Sequence, residues 1–494
     1  MNNIRKNIQK KLSTLGRDIK DTHLSDLKDS SGSEYKIVEH DFLTFDYSRQ
    51  RINQKTLDYL LKIPDLINLK DSLDQLFTGK VKNPSEDSVV AHTIYRNQTS
   101  EENFELIFTE REKIKSFLDQ RQLGYSFKNL ICLSIGGSRS GPELLNEFLS
   151  LESHVNIYFC SSYDLEELKG ALGKCHQGET IVFVASKSFE TSEIAKNLEY
   201  VKYWYSEKPE INLEDHLYGI SANTSAMNDC GIKESNQFHL LDSLGGRFSI
   251  WSAISLPAFV NADYKSYVEL LEGAYLADKY TNSTSWEFNI SVLMALLSIW
   301  NRNVLDISNH GIFTYNFKLR SLTKYIAQLS MESNGKSINF DSHSSPFLTT
   351  ALIWGGYGIE HQHSTFQWLM QGKTETSCDF IGVNNGERKT EDSYKMLLSQ
   401  VLALTNGKED KNSPFKSVRG NHPCSVIQLE NLDLKSLGFL LALYEHKIFI
   451  EALILGIDPF DQWGVQLGKK LSLDARRDKE FLKPFYSSTV LPKS

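Results

Sequence analysis

Between residues 128 and 222 the chain alternates apolar runs with amphipathic ones, and this alternation limits its fold more than any other feature. KNLICLSI, VNIYFCSS, TIVFVASKS and HLYGISA read as strands, while PELLNEFLS, DLEELKGAL and SEIAKNLEYVKYWY between them read as helices. Strand and helix repeating at this pitch predict parallel βαβ units with helices on both faces of a sheet. A second, noisier set follows. SVLMALLSIW reads as a buried helix, NVLDISN, GIFTYN and ALIWGGYG as strands or strand ends, and LRSLTKYIAQLSMES as a helix. Weak duplication of one α/β plan accounts for both sets. At 494 residues the chain exceeds what one core usually holds. The predicted division is a mostly helical N-terminal segment (1–99), a smaller α/β domain (100–246) opened by the helix NFELIFTEREKIKSFLDQRQ, and a larger α/β domain with C-terminal helices (247–494).

The balance of 54 basic against 62 acidic residues leaves a net charge of -8, and no long basic run interrupts it. That composition asks for no nucleic acid. Six scattered cysteines without a CxxC pair predict free thiols and a cytoplasmic location. The first twenty residues are basic but lack the apolar core and cleavage site of a secretory signal. The greasiest run, Leu437 to Ile457, carries Glu445, His446, Lys447 and Glu451 in mid-span. Such charges predict a buried helix and not a membrane span.

LSIGGSRSGP follows the first strand of the alternating set. In parallel sheets, ligands bind beyond the carboxyl ends of strands. Glycines let backbone N–H groups approach an anion there, the next helix points its positive end at it, and Pro142 suits a first helical turn. The stretch has neither the GxGxxG nor the Gly-Lys-Ser/Thr of nucleotide loops. A plain tight turn explains it equally well. The later loop VASKSFETSE sets Ser186, Ser188, Thr191 and Ser192 around Lys187. Hydroxyls at a helix start suit a phosphate monoester, and N-capping by Thr191 or Ser192 is the plainer alternative. Two such loops at strand ends of one sheet point to a phosphorylated small molecule.

Further along, Gly245-Gly246-Arg247 either holds a guanidinium towards an oxyanion or forms a surface turn. Gln328 and Glu332, at i and i+4, share one helix face just before Asn334-Gly335 ends the helix. A carboxylate at the negative end of a helix is disfavoured, so Glu332 is either a general base or an ordinary exposed glutamate. His361 and His363 lie in a Gly-rich loop without a convincing further ligand set. A general acid fits them better than a zinc site. Finally, Asp461 as a helix cap sets Gln462 and Lys469 seven residues apart on one face, a spacing an amphipathic surface helix shares.

Taken together, these segments resemble the phosphoglucose isomerase family. The most specific matches are MESNGK (Met331 to Lys336), GGRFSIWSA (Gly245 to Ala253) and LYEHKIF with FDQWGVQLGK (Leu443 to Lys469). DYSRQRI, IGGSRSGP, SKSFET, QHS and CDFI support them in family order. The resemblance implies an α/β fold of two sugar-isomerase-type, flavodoxin-like three-layer domains with parallel sheets, plus helical N- and C-terminal segments. It implies glucose 6-phosphate and fructose 6-phosphate as substrates, interconverted by ring opening and proton transfer through a cis-enediol, in glycolysis and gluconeogenesis. It further implies a homodimer in which His363 is donated across the interface, and no cofactor, metal, nucleic-acid or membrane partner. By matching motifs, Glu332 is the base, Arg247 holds the enediolate, and His363 with Lys469 opens the ring. Gly137, Ser138, Ser186, Lys187, Ser188 and Thr191 hold the phosphate, while Gln328 and Gln462 contact substrate.

The chain departs from the family pattern at several points. Ser134 replaces a glycine, and Arg139-Ser140 stands where Asp-Leu is common. Ser188 and Glu190 replace threonines, Ser88 and His422 stand where arginines are usual, and SSYDLE (Ser161 to Glu166) replaces SNxDGT. Gly-Tyr-Gly-Ile-Glu stands in place of the usual Glu-Pro-Gly-Thr-Asn before the histidine. A non-catalytic sugar-phosphate sensor and a nucleotide-dependent dehydrogenase are the rival classes. Retention of the proton-transfer set speaks against the first, and the lack of GxGxxG against the second.

Overall fold

The computed structural model describes residues 2–17, 19–27, 36–85, 88–97, 105–122, 127–149, 154–189 and 191–477. Strands β1 (Ile37–His40) and β2 (Leu43–Arg49) come first, then a two-residue hairpin, β3 (Lys82–Asn83) and β4 (Ser88–Val89). β5 (Asn129–Ser134), β6 (Asn156–Cys160), β7 (Thr180–Ala185), β8 (Leu217–Ser221) and β9 (Gln237–His239) follow. β10 (Asn309–Thr314), β11 (Leu352–Tyr357), β12 (Ser377–Val383) and β13 (Cys424–Leu429) complete the set.

The smaller sheet runs β6-β5-β7-β8-β9 and is parallel throughout. The larger runs β1-β2-β13-β12-β10-β11. Its last four strands are parallel, and their order repeats that of the first four in the smaller sheet, so the duplicated plan exists at the level of topology. In both, the strand order reverses beside the first strand, which opens a crevice at the carboxyl ends.

Strand period two distributes side chains between layers. In β5, Leu130 and Cys132 enter the large core that lies between the sheets, while Ile131 and Leu133 enter a separate core on the other face. β7 does the same with Ile181 and Phe183 against Val182 and Val184. In the larger sheet Ile312 and Ile381 face the shared core, and Phe313 and Phe380 face a third one. Strands buried on both faces therefore need the continuous apolar runs that the sequence supplies.

The helix Leu434–Leu455 crosses the shared core. Its buried charges are all partnered. Glu445 pairs with Arg96 and accepts from the Trp251 indole at 2.9 Å, His446 meets Asp278 at 2.7 Å, and Lys447 meets Glu451 at 2.7 Å. Among the described residues, no helix is long and apolar enough to cross a membrane.

Three expectations need correction. The helical reading of residues 1–99 missed β1 and β2, an antiparallel hairpin paired to the edge of β13. β2 alternates buried and half-buried residues, and the polar members of that alternation hide it in the sequence. NVLDISN starts on the last residue of the helix Ile290–Asn303 and enters a strand only at Asn309. The helix expected from Pro142 begins at Gly137, so Pro142 is an interior residue that leaves the Ser138 carbonyl without its helical donor.

Candidate active site

The carboxyl ends of β5 and β7 lie side by side, with Ser134 level with Ala185. After β5 the chain turns at Gly136, whose φ of +59° favours glycine, and enters the helix Gly137–Leu149. Gly137 has a different reason to be glycine. A Cβ there would come within 2.2 Å of the Gly246 carbonyl carbon and 2.4 Å of the Arg247 nitrogen. Two glycine motifs more than a hundred residues apart thus meet backbone to backbone, and that contact sets the first turn of one helix against the 3-10 turn Gly246–Trp251.

After β7, Ser186 is buried with its hydroxyl 3.3 Å from that of Thr191. Thr191 occupies the N-cap position of the helix Ser192–Ser206 but makes no capping bond with its side chain. The loop between them is pinned from below. The Lys187 carbonyl accepts from the Ser221 hydroxyl at 2.8 Å, and the Ser188 carbonyl accepts from the Asn223 amide at 3.2 Å. Ser188 is exposed and Lys187 half-buried. Glu190 lies outside the described residues.

Arg247 is 2 % exposed, and its guanidinium is held from several sides. Nε donates to the Ser333 hydroxyl at 2.7 Å, Nη1 to Gln462 Oε1 at 3.2 Å, and Nη2 to the carbonyls of Pro459 and of Asp461, the latter at 3.0 Å. Neutral acceptors fix the plane of the cation without cancelling its charge. Glu332, in the last turn of the helix Leu322–Asn334, lies 3.8 Å from Nη1, too far for a direct hydrogen bond. Its other oxygen, Oε2, accepts from Gln328 Nε2 at 3.0 Å, one turn earlier on the same face. Gln328 Oε1 in turn accepts from the Ser140 hydroxyl at 2.7 Å. Below Arg247, Lys336 meets Asp461 at 2.9 Å and donates to the Asp458 carbonyl, which braces the turn whose carbonyls grip the guanidinium. Burial lowers the Lys336 ammonium below its usual range despite Asp461, and burial raises the Asp458 carboxyl.

The structure thus brings Arg247, Glu332, Gln328 and Gln462 into one connected group, next to Gly137. It leaves two expected residues apart. His363 is exposed just after the short helix Gly358–Gln362, and Lys469 is exposed on the helix Gln466–Arg477. Neither side chain reaches Arg247 or Glu332 by a hydrogen bond or ion pair among the described residues. Asp461 does not cap a helix. A 3-10 turn, Trp463–Val465, intervenes, so Gln462 and Lys469 do not share a helix face. The contacts of Ser333, Lys336 and Ser140 with this group escaped the sequence reading. Ser333 and Lys336 lie inside MESNGK, so their motif was visible although their contacts were not.

Two of the departures from the family pattern meet each other. Arg139 donates to the Ser161 hydroxyl at 2.8 Å and pairs with Glu167 at 2.8 Å and Glu143 at 3.3 Å, so one altered motif holds the other. His422 is buried, with its Nδ1 3.1 Å from both the amide nitrogen and the carbonyl oxygen of Thr376. Ser88 lies in β4.

A preorganised cation facing a carboxylate, beside a helix start and a hydroxyl loop, suits proton abstraction next to a carbonyl on an anionic substrate. Comparison with known proteins gives the family. The family profile described as phosphoglucose isomerase matches residues 46–489. A glucose-6-phosphate isomerase of Buchnera aphidicola subsp. Cinara cedri is 35% identical over 94% of this chain and 92% of its own length. That of Pseudoalteromonas translucida is 34% identical over 92% and 90%. Among solved structures, a glucose-6-phosphate isomerase from Chlamydia trachomatis superposes with a TM-score of 0.89 at 28% identity, covering 98% of this chain and 99% of that one.

Proposed function

The chain belongs to the phosphoglucose isomerase family, and we propose that it interconverts glucose 6-phosphate and fructose 6-phosphate by proton transfer through a cis-enediol. The pairing of a caged Arg247 with Glu332 at 3.8 Å carries this reading. The C2 hydrogen of the sugar is acidic only when the neighbouring carbonyl is free, so the ring opens first, with His363 and Lys469 moving the proton between O1 and the ring oxygen. Glu332 then takes the C2 proton. The C–H electrons form the C1–C2 double bond, and the carbonyl electrons move onto O1 beside Arg247. Transfer of the O2 proton to O1 and return of the proton from Glu332 to C1, with the O2–H electrons forming the C2 carbonyl, yield the ketose. A positioned base typically contributes about 10²–10⁴-fold. An oxyanion partner typically contributes about 10²–10³-fold.

Gly137, Ser138, Ser186, Lys187, Ser188 and Thr191 are the phosphate cradle of this scheme, at the switch point of the smaller sheet. Gln328 and Gln462 contact substrate as well as the two catalytic groups. The scheme uses no cofactor, and its place is in glycolysis and gluconeogenesis. In this scheme a homodimer donates His363 across the interface. Trp463, Val465, Leu467 and Leu471 are exposed around Lys469, an apolar face suited to a second copy, and exposed His363 is free to serve the partner's site. Free cysteines favour the cytoplasm. The five-stranded sheet supports the smaller domain at 100–246, and β1 and β2 fasten the 1–99 segment to the sheet of the larger domain at 247–494.

The test is a coupled assay of purified protein with fructose 6-phosphate, repeated with Glu332→Gln. The wild type turns over and the variant loses at least about 10²-fold in kcat while the fold, read by circular dichroism, is kept. Wild-type-like turnover in the variant removes Glu332 from the role of base.

A further inference from the structure

We propose that Ser140 is a positioning residue that sets the direction of the Gln328 amide and, through it, of the Glu332 carboxylate. This rests on Glu332 being the base. The helix Gly137–Leu149 is pressed against the helix Leu322–Asn334, and Ser140, 7 % exposed, lies on the contact face. Its hydroxyl donates to Gln328 Oε1 at 2.7 Å, and Gln328 Nε2 donates to Glu332 Oε2 at 3.0 Å. These two bonds form a chain with one polarity. A primary amide has an acceptor end and a donor end, and nothing in its shape says which way it faces. Turned over, Gln328 would aim its carbonyl oxygen at a carboxylate, and the two negative groups would repel. A hydroxyl that donates to the amide oxygen satisfies the acceptor end and leaves the donor end for Glu332. Without it, that oxygen loses its side-chain donor in a half-buried place, and a rotation of the side chain is no longer opposed.

The remaining constraints on Glu332 make this bond matter. The carboxylate is 24 % exposed, and its nearest cation is 3.8 Å away. The Gln328 amide is thus the direct hydrogen bond that orients it. A base must lie close to the line of the C–H bond it breaks, so a swing of the carboxylate lowers the fraction of reactive geometries without changing how the phosphate is held. Ser140 belongs to the same helix as Gly137 and Ser138. The Ser140–Gln328 bond therefore ties the base to the helix whose first turn is proposed to meet the phosphate, and the distance between the two ends of the substrate is built into one contact.

The experiment compares Ser140→Ala, Ser140→Thr, Glu332→Gln and the double variant Ser140→Ala/Glu332→Gln, each by kcat and KM for fructose 6-phosphate. Ser140→Ala is expected to lower kcat about 2- to 10-fold, the worth of one neutral hydrogen bond, with KM within twofold of the wild type. Ser140→Thr, which keeps the hydroxyl, restores at least half of the lost kcat. In the Glu332→Gln background the alanine has no further effect, because there is no base left to orient. An unchanged kcat in Ser140→Ala, a rise in KM alone, or an additive loss in the double variant overturns the proposal. Should Ser140→Ala fail to fold, Ser140→Cys, nearly the same shape but a weak donor, is read by the same criteria. The two readings fail separately. Turnover in Glu332→Gln defeats the base, while an inactive Glu332→Gln beside an unaffected Ser140→Ala defeats the positioning role alone.

Discussion

Replacing Gly137 by alanine adds one methyl group where two motifs touch, and its outcome is decided by opposing terms of known size. Gly137 is the first residue of a helix, so alanine suits its backbone and propensity favours the change by less than the interior value of about 1 kcal/mol. Against this, the new Cβ would lie 2.2 Å from the Gly246 carbonyl carbon and 2.4 Å from the Arg247 nitrogen. Ordinary contact begins near 3.4 Å, so one backbone must retreat by about 1.2 Å. Both obstacles are main chain and no rotamer change relieves them. Overpacking of this kind costs about 1–3 kcal/mol, which outweighs the propensity gain. The larger effect falls on the rate. Arg247 is carried by the segment that must move, and a displacement near 1 Å in a reacting group costs about 10²-fold. The assay is turnover of fructose 6-phosphate together with a thermal melt, with Gly170→Ala as the control. Gly170 is also helical, and its Cβ would meet nothing within 4 Å, so its change is expected to be neutral or mildly stabilising. If Gly137→Ala keeps both wild-type kcat and wild-type melting, the close approach does not position the guanidinium.

Arg247→Ala lowers kcat about 10²–10³-fold with a smaller effect on KM; a change in KM alone speaks against an oxyanion role. Glu445→Ala strands the fully buried Arg96 with Asp278, 2.5 Å away, as its remaining carboxylate partner. A loss of about 3–5 kcal/mol is expected by denaturant unfolding, and an unchanged midpoint would refute it. Burial pushes the His92 imidazole well below its ordinary range, helped by Arg96, and burial also lowers His446 and His422. The unfolded chain takes up these protons near pH 6.5 while the folded one does not, so stability falls as pH drops below about 6.5, by up to about 1.4 kcal/mol per pH unit for each histidine. Unfolding midpoints at pH 7.5 and 5.5 check the sign; equal values would contradict it. Mixing the inactive variants Glu332→Gln and His363→Ala, with subunit exchange, restores up to about a quarter of wild-type activity if the histidine crosses the interface, because a mixed dimer then holds one intact site. No recovery after verified exchange counts against that donation.

The strands β5, β7 and β8 and their helices were legible because both faces of the sheet are covered, and a strand buried on both faces carries a run of consecutive apolar residues. The hairpin of β1 and β2 was not, since it extends the sheet as an antiparallel edge and needs only alternate apolar residues. The helix Leu434–Leu455 was legible as buried, but the reason it tolerates Glu445 and His446 lies on other elements, at Arg96 and Asp278. At the site, Gln328 and Glu332 were readable as a pair because helix periodicity alone puts them together. Arg247 was readable only as a candidate. Its partners Ser333, Gln462 and the carbonyls of Pro459 and Asp461 come from two distant segments, and no local pattern announces a backbone carbonyl as a ligand of a guanidinium.

What the amino-acid order determined unaided is therefore whatever repeats locally: parallel units, covered sheets, glycine turns at strand ends, and a glutamine one helical turn from a glutamate. The tertiary structure alone decided that Gly137 abuts Gly246, that Arg247 is caged, and that Ser140 reaches Gln328 across 188 positions of chain. The physical reason is range. Dihedral preferences and apolar periodicity act within a few residues, whereas the placement of a charge against a base depends on how separate elements pack, and packing exists only once the chain has closed on itself.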